Sequence, residues 1–115
     1  MSLEESLIDK FQNRGILSGE ELYLNILDSF DFISACTDLN LAIIGVDFFY
    51  IKADGTYPIF PNKNLDCSSF LRKQEQWVDI VKSCNKFAKD SLLIESNKDS
   101  SQYCTFVVIE EGEKV

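Results

Sequence analysis

The stretch Leu41-Ala42-Ile43-Ile44-Gly45-Val46-Asp47-Phe48-Phe49-Tyr50-Ile51 decides the fold. It is a nearly continuous apolar run, well short of the roughly 18 uninterrupted apolar residues of a membrane span. Its β-branched and aromatic content predicts a strand over about 41–52, central in its sheet and covered on both faces. Alternation puts Ile43, Asp47, Phe49 and Ile51 on one face and Ile44, Val46, Phe48 and Tyr50 on the other, an assignment that a bulge at Gly45 would change. Asp54-Gly55 has the form of the centre of a two-residue hairpin turn. The returning strand, Tyr57 to Phe60, contains Pro58, which has no N–H for a ladder and so argues for a sheet edge.

Upstream, Ser2-Leu3-Glu4-Glu5 has the capping-box form, and Leu3, Leu7, Ile8 and Phe11 share one helical face that Gly15 should terminate after Arg14. Ser18-Gly19-Glu20-Glu21 reads as a second capping box. Beyond it Ile26, Leu27, Phe30, Ile33 and Cys36 form an apolar stripe on a helix ending near Asp38 or Leu39. Phe32 points away from that stripe, so it is either a helix flank packed on another element or an exposed contact residue.

Downstream, Pro61 to Phe70 reads as a loop. A helix from Gln74 to about Leu92 would bury Trp77, Ile80, Val81, Cys84, Phe87 and Ala88, and present Asp79, Lys82, Lys86 and Lys89 outward. A polar loop over Glu95 to Ser101, a last strand over Tyr103 to Ile109, and a fraying Glu110-Glu111-Gly112-Glu113 complete the chain. The expectation is one α+β domain over residues 1–115, in the order α-α-β-β-α-β. Its small antiparallel sheet would have about three strands and be packed with about three helices, mainly on one face. Part of the other face, including some of Phe48, Tyr50 and Tyr57, would remain for a partner or for the first helices.

The formal charge is -8, and it is unevenly placed. Residues 1–50 hold nine acids against Lys10 and Arg14, whereas residues 51–115 hold ten acids and nine bases. Such a field repels nucleic acid and acidic membranes and favours a basic partner. The acidic N-terminal residues lack the basic and apolar regions of a secretory signal, which makes the cytoplasm the expected address.

The sequence contains no histidine, so it offers no Ser-His-Asp or Cys-His unit and no His-rich metal site. Cys36, Cys84 and Cys104 fall in apolar patterns, as buried free thiols do, whereas Cys67 sits in a polar loop and could be exposed. None of the four has the close spacing of a zinc or redox pair. Asp47 is the sharpest single residue, because an acid inside an apolar strand must be solvated, hydrogen-bonded or paired. A structural hydrogen bond or an ion pair with Arg72 or Lys73, a partner contact and a catalytic acid are its three readings. A pocket lined by Asp47, Tyr50 and Cys67 would favour an enzyme.

Gly45-Val46-Asp47-Phe48-Phe49, a hairpin, a loop, and then Glu75-x-Trp77-x-x-Ile80-Val81-x-Ser83-x-x-x-x-Ala88 resemble immunity protein family forty of bacterial polymorphic toxin systems. The resemblance is best over Ile43 to Leu92 and weaker over Gly15 to Leu39. It implies a small cytoplasmic protein that protects its producer by binding and blocking a cognate toxin domain, with no catalysis and no cofactor. The charge asymmetry places the expected contact surface on the acidic second-helix region: Glu20, Glu21, Asp28, Asp31 and Phe32, extended by Asp47 and Tyr50. The alternative is a non-enzymatic adaptor or subunit of a stable oligomer, which an exposed sheet face or edge would favour.

Overall fold

A computed structural model describes residues 2–52, 55–58, 64–72 and 76–113; for Lys52, residues 55–58, Phe70 and Arg72 it describes the backbone alone. The elements run α1 (Leu3–Phe11), β1 (Ile16–Ser18), β2 (Glu21–Asn25), α2 (Ile26–Asp38), β3 (Ala42–Lys52), β4 (Gly55–Pro58), β5 (Asn64–Asp66), α3 (Trp77–Lys98) and β6 (Tyr103–Ile109). The class is α+β, but the sheet is larger than expected: among the described residues it has six antiparallel strands in the order β1-β2-β6-β3-β4, with β5 also on β3.

The long apolar strand is central. One edge of β3 pairs with β6 from Ala42 to Phe49, and the other is shared by β5 and then β4. The register slips between Ile43 and Gly45, so Ile43 pairs with Val108 and Gly45 with Val107. This bulge takes Ile43 off the face of Asp47, where simple alternation had put it. Pro58 sits on the edge strand β4, as its missing donor demands. Lys52 pairs with Gly55, which brackets residues 53–54 rather than the expected 54–55; Asp54 and Phe60 lie outside the described residues.

Two strands replace the second capping box. Gly19, at φ 62°, opens a two-residue connection between Ser18 and Glu21, the glycine-first pattern of a II′ hairpin. Helix α2 starts later, capped by Asn25, whose Oδ1 accepts from the Leu27 N–H at 2.9 Å. It ends at Asp38 as anticipated, with Asn40 at φ 60° just beyond. Its buried stripe is Ile26, Ser29, Phe32, Ile33 and Cys36, while Leu27 is exposed. The Ser2 cap is present, its hydroxyl accepting from the Glu5 N–H at 3.1 Å. Gly15 is extended (φ -139°) and acts through space, since a Cβ there would stand 2.5 Å from the Tyr23 carbonyl oxygen. A short 3-10 turn, Gln12–Arg14, ends the first helix instead.

The expected loop over 61–70 contains β5 and a 3-10 turn at Ser68–Arg72; residues 61–63 lie outside the described set, as do 74 and 75 at the expected start of α3. Helix α3 continues to Lys98 because Glu95, Ser96, Asn97 and Lys98 are polar without being helix breakers. The Gln102 amide then closes its end, Nε2 donating to the carbonyls of Glu95 and Asp99. Asn85 takes the buried position expected of Phe87, which is exposed.

Helices α2 and α3 cover one sheet face. Phe106 of β6 stacks on Phe32 at 4.7 Å between ring centroids, and Phe32 meets Phe11 edge-on at 5.4 Å. Asn85 of α3 ties three elements together. Its Oδ1 accepts from the Ile43 N–H at 2.9 Å, and its Nδ2 donates to the Leu41 carbonyl at 3.0 Å and to Thr37 Oγ1 at 2.9 Å. No described helix is long and apolar enough to cross a membrane.

Candidate partner-binding surface

Three surfaces carry the charged and aromatic residues singled out in the sequence. The first lies where α1, the β1–β2 hairpin and the end of β6 meet. The α1 backbone is tied there by the Leu3 N–H donating to Glu110 Oε1 at 3.1 Å. Glu110 begins an ordered turn, not a frayed end: its N–H donates to Glu113 Oε1 at 2.7 Å, and the Glu113 N–H returns to the Glu110 carbonyl at 3.2 Å. Burial pushes the Glu4 carboxyl above the usual range, and the nearby charges of Glu113, Glu110, Glu5 and Glu21 push it further. Glu4, Glu20 and Glu21 line a cleft of about 230 Å³ whose floor includes Leu22, Leu24, Phe32 and Phe106. An adjoining cleft of about 460 Å³ adds Glu5, Asp9 and Leu17. An arrangement of carboxylates over an apolar floor suits a cationic group on an apolar stem.

The second surface is on α2. Asp28 and Asp31 are both held by Arg14, each at 2.8 Å from Nη2, and the guanidinium also lies 5.1 Å from the centre of the Phe11 ring. Those hydrogen bonds, first to Asp31 and then to Asp28, push the Arg14 pKa up. One of the two bases of residues 1–50 therefore offsets two of the acids expected to attract a partner.

The third is the sheet face turned away from the helices. Register and alternation put Asp47, Phe49, Tyr103, Thr105 and Val107 on it, opposite to Val46, Phe48, Cys104 and Phe106. Tyr23 leans across β6 to meet Phe49 edge-on at 5.2 Å, which accounts for the burial of Thr105. Ile16 is 43% exposed and Val107 51%. Asp47 is exposed here, so water meets the cost of its charge and no buried cation is required. The side chain of Arg72 and all of Lys73, its expected partners, lie outside the described residues.

The structure therefore separates the anticipated contact residues. Glu20 and Glu21 stand at the acidic cleft, Asp28 and Asp31 at Arg14, and Asp47 on the open face. Phe32 takes the flank alternative, at 4% exposure. Tyr50 faces the helices, its hydroxyl donating to Asp99 Oδ2 at 2.9 Å, and Phe48 is buried beside it, so neither belongs to a free face. The Tyr57 side chain lies outside the described residues.

Asp47, Tyr50 and Cys67 do not form a pocket: the first two point to opposite faces, and Cys67 is buried. The Cys67 N–H donates to the Ile44 carbonyl at 2.9 Å, and burial pushes its thiol up to about 12, far from a nucleophile's range. Among the described residues no group of three or more His, Cys, Asp or Glu side chains could hold a metal ion.

Sequence reasoning missed Glu4, Glu110, Tyr23 and Tyr103 as surface-forming residues. The hairpin signal was present, in Ser-Gly-Glu followed by alternating Leu22 and Leu24, but the meeting of residues 4 and 110 has no local trace. Compared with models of protein families, with curated proteins and with solved structures, the chain matches none.

Proposed function

We propose that this protein is an immunity protein, which binds a basic cognate toxin domain and neutralises it by occlusion, without catalysis or cofactor. The observation that carries this reading is the convergence of Glu4, Glu20, Glu21, Glu110 and Glu113 from three distant parts of the chain. Like charges brought together raise the free energy of the unbound protein, and a cationic partner relieves that repulsion on binding. The same field speeds the encounter, which is what neutralising a toxin inside its producer requires. Glu20 and Glu21 remain the anticipated contacts best placed for this role. Asp28 and Asp31 contribute less, because Arg14 already answers them.

The test is growth rescue combined with a pull-down, using the toxin domain encoded beside this chain. Rescue with a stable one-to-one complex that Glu20→Lys with Glu21→Lys weakens at least tenfold supports the proposal. Neither rescue nor binding removes it.

The open sheet face favours a second reading, a subunit that self-associates. Ile16, Tyr23, Phe49, Tyr103 and Val107 give it an apolar and aromatic strip of the kind interfaces use. Val107→Lys should then convert an oligomer to a monomer in sedimentation at unchanged stability. A monomeric wild type at high concentration would exclude that reading.

A further inference from the structure

Strands β2 and β6 are paired for only two residues. Leu24 faces Cys104 and Asn25 faces Tyr103, and the Ile26 N–H donates to the Gln102 carbonyl at 2.8 Å. That last bond fixes the phase of β6. With Gln102 directing its carbonyl towards β2, alternation turns the N–H and C=O of Cys104, Phe106 and Val108 the same way. Cys104 finds Leu24. Leu22 and Phe106 would form the next pair, but the ladder stops before them, while β2 pairs with β1 through its other edge. Between the parted strands lies the cleft of about 230 Å³, lined on one side by Leu22 and Leu24 and on the other by Phe106 and Val107. Beside β3, by contrast, β6 is paired along its whole length.

We propose that this edge of β6, unpaired on the β2 side at Phe106 and Val108, is a strand-addition site that accepts an extended, Lys- or Arg-bearing segment of a partner protein. Main-chain hydrogen bonds to Phe106 and Val108 give such a segment its register, as in other complexes built by β-augmentation. Charge complementarity selects the occupant: Glu4, Glu20 and Glu21 line the opening, so an acidic segment is repelled and a basic one is drawn in. At about 3.4 Å per residue, roughly five residues of a partner span the edge. This inference rests on the immunity reading for the partner's identity, but not for the site.

The probe is a capped peptide Lys-Val-Lys-Val-Lys-Val-Lys, compared with its Glu-for-Lys counterpart and with a version carrying Pro in place of Val. Amide exchange by NMR should show the Phe106 N–H exchanging rapidly in the free protein, and the Phe106 and Val108 N–H groups both exchanging at least tenfold more slowly with the Lys-Val peptide. The Glu peptide should give no protection, and the Lys-Pro peptide, equal in charge but unable to pair, should bind at least tenfold more weakly. Glu20→Lys with Glu21→Lys should lose the peptide while keeping the Trp77 emission of the folded protein. Equal binding of the Lys-Pro peptide, or no protection of Phe106 and Val108 at millimolar Lys-Val peptide, overturns the proposal. A cognate toxin domain that binds the double variant undiminished also overturns it, and leaves the immunity reading standing. A peptide that docks on the edge while no toxin domain binds does the reverse.

Discussion

Replacing Asn85 by leucine should be among the most damaging single changes in this protein, although it puts an apolar residue of similar size into the core. The Asn85 amide is 3% exposed and answers two main-chain groups at the start of β3, the Ile43 N–H and the Leu41 carbonyl. Neither has water to fall back on once the amide is gone. A buried polar group left without a partner costs about 1–3 kcal/mol, so two of them amount to roughly 2–6 kcal/mol. Domains of this size are stable by about 5–15 kcal/mol, so the loss is a large share of the whole. Urea titration followed by the emission of Trp77 reads it directly, because the indole N–H donates to the Asn40 carbonyl next to the affected strand. Asn85→Ala should lose a comparable amount, whereas Thr37→Val, which removes only the hydroxyl partner, should lose less than about 1.5 kcal/mol. An Asn85→Leu protein within about 0.5 kcal/mol of wild type would mean that packing, not the satisfaction of the β3 backbone, is what position 85 supplies.

Arg14→Ala should barely move the urea midpoint, its ion pairs being exposed, yet should raise the affinity for a basic partner by freeing Asp28 and Asp31; unchanged affinity would place both acids outside the interface. The Glu4 carboxyl has its folded pKa raised, so the folded state binds the extra proton and stability increases as pH falls through that raised value. Glu4→Gln should therefore stabilise the protein at pH 7 and flatten this acid-side gain, which thermal melts at pH 4 to 7 can check. Gly15→Ala should cost about 1–3 kcal/mol by driving a methyl group into the Tyr23 carbonyl, as a shift in thermal midpoint would register. All four cysteines are buried free thiols, and burial pushes Cys84 up to about 11 and Cys67 and Cys104 to about 12. A thiol reagent at pH 8 should label none of them in the native protein and all of them in denaturant.

What could be read from the sequence was what local chemistry decides. The apolar run of β3, the edge position of Pro58, the Ser2 cap and the end of α2 all follow from residues within a few positions of one another. The β1–β2 hairpin was hidden because Ser18-Gly19-Glu20-Glu21 satisfies two local grammars, a helix cap and a glycine-first turn, and only pairing with β6 decides between them. The length of α3 is not legible locally because the polar residues at its end have the composition of a loop, while the device that stops it, the Gln102 amide, lies beyond them. The candidate site was less legible still. Charge alone identifies Glu20 and Glu21, but the inward packing of Phe32 and Tyr50 is decided by Phe106 and Asp99, which are far away in the chain.

The place of β6 in the sheet also sets the order in which the protein can be made. It follows the other five described strands in the chain, yet it lies between β2 and β3 and is, among the described residues, the strand through which the β1–β2 hairpin joins the sheet. A nascent chain that has not reached Tyr103 therefore holds two β units, the β1–β2 hairpin and the strands on β3, that no pairing among the described residues joins. Until β6 has been made, such a chain offers unpaired strand edges to chaperones and proteases.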